Sequence, residues 1–230
     1  MELELKRGGR TARVETLGGE LVSYRDERGL EYIWGGDPAY WPGRNPLLFP
    51  IVGMLKEGKI RFDGREYAME RHGFARRREF TPAARGEDWV RLELRESAET
   101  LALYPYPFRL AVEQRLTDTG FSTAVTVANP GEGPLPFCLG AHTGFRCPLE
   151  AGERFEDYEL VFPERESCPT LLLRDGLLDR PAALPCLEDT DTLPLDYRWF
   201  DALDTLIFEG LRSRSVALRS RKSGRGVRVS

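Results

Sequence analysis

The chain has 230 residues, 41% of them hydrophobic and 30% charged, enough to bury a core of one large all-β domain. Its 33 basic and 37 acidic side chains give a net charge of -4, a balance that excludes a field recruiting nucleic acid or an anionic membrane and suits a small neutral ligand. No apolar run reaches the roughly 20 residues that cross a bilayer.

The opening MELELKRGGRTARVE has neither a basic n-region nor an apolar h-region, so the expected location is cytoplasmic. A loop, GGDPAYWPG, then presents Tyr40 and Trp41, flat faces with polar tips of the kind that line ligand pockets, and Arg44 follows. Arg44 can fork hydrogen bonds to hydroxyls, or it can simply cover an exposed tryptophan. The apolar stretch NPLLFPIVG reads as a core strand.

IRFDGREYAM carries Asp63-Gly64, a hairpin signal. WVRLELRE alternates with Val90, Leu92 and Leu94 on one face, and ESAETLALY offers the single short turn of helix, near 97–104. RLAVEQRL alternates again with Leu110, Val112 and Leu116, and Asp118-Thr119-Gly120 turns the chain into FSTAVTVA. The segment 164–195 reads as loops and short hairpins over one sheet. Two strands around Ser223-Gly224 end the chain, and the last stops in mid-alternation. The expectation is an all-β fold, a large antiparallel β-sandwich in one domain over 1–230 that lacks its C-terminal strands.

The cysteines Cys138, Cys147, Cys168 and Cys186 have no C-x-x-C spacing and read as buried free thiols. No Gly-rich phosphate loop, GxSxG or HExxH occurs, and the histidines and cysteines form no zinc pattern, so no metal is expected. There are only two histidines, in RHGF and GAHTGF. A lone histidine is more often structural than catalytic, but each of these stands beside glycine with phenylalanine soon after, a setting that lets an imidazole project into a cleft and exchange a proton near neutral pH. Asp201 and Asp204 precede the apolar run Leu206-Ile207-Phe208, where a carboxylate caps a turn or accepts from hydroxyls.

Taken together, LGGELVSYRDERGLEYIWGGDPAYW, RNPLLFPIVGMLKEGKIRFDGREYAMERHGFARRREF, LGAHTGFRCPL and DTLIFEGLRSRSVAL, in that order, resemble the aldose 1-epimerase (galactose mutarotase-like) family, in its shorter LacX-like bacterial branch. The resemblance implies a sandwich with a sugar cleft, a hexose as ligand, and exchange of α and β anomers with no cofactor. A carboxylate takes the anomeric proton while a histidine protonates the ring oxygen, so that the ring opens and closes again on the other face. It further implies His142 as the proton donor, His72 as the second histidine near the ring oxygen, and Arg44 and Asp204 as groups that bind hydroxyls. Two departures stand out. HTGF replaces the family's HPxF, and no motif like C-x-E-P-W, which carries the base glutamate, occurs in the 230 residues. Two further readings remain beside mutarotation: a sugar-binding module without chemistry, and a hexose-phosphate mutarotase using Arg76, Arg77 and Arg78, which otherwise form a solvated charge run.

Overall fold

A computed structural model describes the chain, with side chains for every residue except 180–183 and 202. The chain divides into two compact units, residues 1–146 and 147–230.

In the first unit β1 (Glu2–Arg7), β2 (Arg10–Glu15) and β3 (Glu20–Arg25) form an antiparallel meander. β4 is only Leu47–Leu48, and β5 (Lys59–Phe62) pairs with β6 (Arg65–Ala68). Asp63 and Gly64, both in the left-handed region, make the turn that the sequence predicts between them. β7 (Thr81–Arg85), β8 (Trp89–Arg95), β9 (Arg109–Leu116) and β10 (Phe121–Ala128) make a second antiparallel sheet in the order β10-β9-β8-β7. The expected helical turn is α1 (Ala98–Leu101), started by a capping box in which the Ser97 hydroxyl accepts from the Thr100 N–H.

The two sheets share one core. Leu3, Leu5, Ala12, Val14 and Leu21 come from the meander, and Val90, Leu92, Leu94, Leu110, Val112 and Leu116 from the second sheet, all buried. The inward rows are those that period-two alternation predicts, with one polar member. Gln114 is 2% exposed, yet both ends of its amide are used: Nε2 donates to the Gly19 carbonyl at 2.9 Å and Oε1 accepts from the Thr123 hydroxyl at 2.6 Å. Gln114→Leu keeps the bulk but strands the buried Gly19 carbonyl, so urea unfolding is expected to show a loss of about 1–3 kcal/mol.

NPLLFPIVG is less of a strand than its apolarity predicts. Pro46 and Pro50 lack the N–H that would extend the ladder, so only Leu47 and Leu48 pair regularly, although Phe49 and Ile51 remain in the core. β11 (Gly140–Ala141) is their partner, with Gly140 opposite Leu48 and Ala141 opposite Leu47.

The second unit corrects the reading of 164–195. It is one long hairpin of β12 (Tyr158–Arg174) and β13 (Leu177–Pro194), turned by Asp175 and Gly176, both at positive φ. Bulges interrupt its register, and strand prolines such as Pro163, Pro169 and Pro185 read as loop signals in the sequence; the bulges leave their missing N–H groups out of the ladder. Side chains 180–183, within that segment, lie outside the described ones. β14 (Val216–Ser220) and β15 (Gly226–Val229) complete the sheet in the order β13-β12-β14-β15, as the two-strand ending predicts. A helix that the sequence does not announce, α2 (Arg198–Ala202), holds Asp201 in its first turn. All four cysteines are free, but only Cys168 is buried and Cys138 is exposed, so burial is not what they share.

Candidate active site

The short run from Pro46 to Gly53 places both histidines. On one side β4 pairs with β11, and the next residue, His142, donates its backbone N–H to the Pro46 carbonyl at 3.2 Å. On the other side Phe49 bridges Gly73, and its carbonyl accepts from the backbone of Phe74 and Ala75. Residues 70 positions apart in sequence thereby flank one strip of backbone. Their rings stand 5.7 Å apart between centroids, at 55°.

His72 is held twice by Gly53. Its N–H donates to the Gly53 carbonyl at 2.8 Å, and its Nδ1 accepts from the Gly53 N–H at 3.0 Å. An accepting Nδ1 needs its lone pair, so the neutral ring carries its proton on Nε2, free to donate to a ligand oxygen. His72 also has a φ of 68°, a conformation a non-glycine residue holds only where its surroundings enforce it.

The His142 ring is covered by Trp41, with centroids 4.8 Å apart. Trp41 is fixed in turn, its carbonyl accepting from the Trp34 indole N–H at 2.8 Å. The HTGF departure has its explanation here. A Cβ on Gly144 would fall 2.8 Å from the Trp41 ring and 2.9 Å from the Trp34 Cβ, so glycine admits the indole, while the Thr143 hydroxyl donates to Asn45 Oδ1 at 2.6 Å and does the bracing.

The structure therefore brings His72, His142 and Trp41 together. It uses Arg44 differently from a free hydroxyl-binding fork: Nε donates to the Gly35 carbonyl at 3.2 Å and Nη1 stands 3.8 Å from Glu15. Its backbone fastens the histidine loop, because the Arg44 and Asn45 N–H groups both donate to Glu20 Oε1 and the Arg44 carbonyl accepts from Gly144. Asp204 is exposed and belongs to the second unit. Arg71 is a residue that sequence reasoning passed over, although it directly precedes His72; its charge and that of Arg76 act on both imidazoles.

Burial first, then the Arg71 and Arg76 charges, hold His72 and His142 below their ordinary value, and His142 adds to the effect on His72. Both are thus neutral at pH 7. The linkage has a definite sign: the unfolded chain binds these two protons more readily, so stability is intact above the ordinary pKa near 6.5 and declines as pH falls below it. Melting curves from pH 7.5 to 5.5 are expected to fall for the native chain and to be flatter for His72→Gln; parallel curves would refute this linkage.

Residues 1–203 match the aldose 1-epimerase family, and the chain belongs to it. Its relatives include the plasmid LacX protein of Lactococcus lactis subsp. lactis, 43% identical over 237 residues that span 100% of this chain and 79% of the relative. The chromosomal LacX of the same organism is 42% identical over the same shares. A galactose mutarotase related enzyme from Lactobacillus acidophilus superposes with a TM-score of 0.90 at 28% identity, over 96% of this chain and 74% of that one. A galactose mutarotase-like protein from Lactobacillus casei gives 0.84 at 29%, over 96% and 76%. The fold is the galactose mutarotase-like β-sandwich. Among the described residues no helix is long and apolar enough to cross a membrane.

Proposed function

We propose that the chain binds a hexose against Trp41 and between His72 and His142, and that it interconverts the sugar's anomers by opening the ring. The observation that carries this is the pairing of the two imidazoles 5.7 Å apart on neighbouring backbone segments. Two donors so placed can converge on one ring oxygen, and an indole face matches the apolar C–H face of a pyranose. His142 is the proton donor, and His72, locked with its Nε2–H outward, orients the same oxygen. Arg44 is assigned to the sugar hydroxyls, after release from Gly35.

Ring opening also needs a base for the anomeric proton. A positioned general base is worth on the order of 10²- to 10⁴-fold in rate. Optical rotation of freshly dissolved α-galactose or α-glucose, read beside sugar titration by calorimetry, tests both parts. Binding with equilibration no faster than buffer would leave a sugar-binding module, and absence of binding would end the reading.

A further inference from the structure

Of the four outer strands in the first unit's two larger sheets, three carry a device that keeps other strands off. β1 sets Glu2, Glu4 and Lys6 along its length, and β3 is bridged at its end through Arg25 and Glu31 with its middle buried. β7 is five residues long, holds Pro82 and is broken by a bulge. β10 has none of these. FSTAVTVA is eight residues long with no charge and no proline, and its register with β9 runs from Phe121 to Ala128 without a shift. Among the described residues its other side pairs with nothing.

Backbone and side chains of β10 both suit an added strand. The Thr117 N–H donates to the Gly120 carbonyl, so hydrogen-bonded pairs alternate from there along the hairpin, and the N–H and C=O groups of Phe121, Thr123, Val125 and Val127 point away from β9. Phe121, Val125 and Val127 are only half-buried where they pack on the core, which leaves an apolar row that a neighbouring strand would cover. On the opposite face Ser122, Ala124 and Thr126 are small and exposed.

We infer that β10 is a homodimer interface, in which two copies of this strand pair antiparallel about a twofold axis and join two four-stranded sheets into one. The partner is a second copy because the strand complements itself. Pairing through the outward backbone groups sets odd-numbered positions opposite odd-numbered ones, so both apolar rows stay on one face of the joint sheet. No charge lies on the strand to oppose its own image, and each copy uses the same patch, so the contact closes at two. Eight residues at about 3.4 Å each span about 27 Å, a contact at the low end of stable interfaces that fits a micromolar rather than a nanomolar dimer. The inference is independent of the hexose reading.

The test is sedimentation equilibrium of the purified chain between about 1 and 300 µM. A reversible equilibrium of monomer and dimer is expected, with amide exchange at Phe121, Thr123, Val125 and Val127 slowing as concentration rises and exchange at Ser122 and Ala124 unchanged. Ala124→Lys combined with Thr126→Lys places like charges opposite one another across the axis on the exposed face, and should weaken the dimer at least about tenfold. Val127→Pro removes an outward N–H that β9 does not use and should weaken it likewise, which keeps the test valid if the charged variant fails to fold. Thr81→Lys on β7 is the control and should leave the equilibrium as it is. A chain that stays monomeric at the highest concentration overturns the inference and leaves the edge to a strand of another protein. A dimer that survives both β10 variants, one that Thr81→Lys also breaks, or assembly that continues past two copies overturns it as well.

Discussion

Replacing His142 by asparagine is expected to lower the chain's mutarotation rate by about 10²-fold or more, down to the buffer rate wherever the native acceleration is smaller than that. The size follows from what the ring does rather than from what it touches. Its imidazolium form can pass a proton to the ring oxygen as the C1–O bond breaks, and burial with the Arg71 and Arg76 charges favours the neutral ring that this leaves behind. Asparagine retains a polar tip of similar reach but cannot release a proton. Sugar affinity should change far less than rate, because the Trp41 face and His72 remain. Rotation measurements and titrations on the same preparation separate the two effects; a variant as fast as the native chain would take His142 out of the chemistry. Since its pKa is depressed and the imidazolium is the form that donates, native activity should rise as pH falls from 8 towards 6 and the charged fraction of the ring grows.

Gly73→Ala is expected to be among the most damaging single methyl additions in the first unit. The residue has a φ of 70°, and a Cβ there would stand 2.2 Å from the Phe49 carbonyl oxygen and 2.7 Å from the Pro50 nitrogen. Neither neighbour is the free end of a side chain. Phe49 is fully buried against Phe74, Tyr104, Phe108 and Phe137, so the strip cannot retreat without breaking the core, and the loop bearing His72 must move instead. Left-handed strain and overpacking together make a loss of at least ~2 kcal/mol the expected result in urea unfolding. The His72–Gly53 hydrogen bonds should go with it, seen as faster amide exchange at Gly53. A variant with native stability and native Gly53 protection would mean that Phe49 and Gly73 are not pressed together as described.

Strand positions were legible in the sequence wherever one face is wet and the other dry. Val90, Leu92 and Leu94 alternate with charged residues because β8 packs on one side only, and the same holds for β9. Two-residue turns such as Asp63-Gly64 were equally legible, since their left-handed backbone selects the residues locally. The hairpin of β12 and β13 was not, because prolines at bulges carry the same local signature as prolines in loops, and only cross-strand pairing tells them apart. The shortness of β4 was hidden for the opposite reason: burial on all sides makes a run apolar whether or not it pairs.

The histidines themselves, and the glycines beside them, were determined by the sequence alone, as was membership of a family defined by motifs kept in order along the chain. Which atoms face a ligand was decided by tertiary structure. The Gly53 backbone sets the His72 tautomer, the Gly144 vacancy admits Trp41, and Arg44 is turned onto Gly35 and Glu15. The physical reason is that hydrogen bonds, steric vacancies and charge balance are properties of pairs of groups, and those pairs are joined by segments tens of residues apart that meet only when the strands around Pro46–Gly53 have come together.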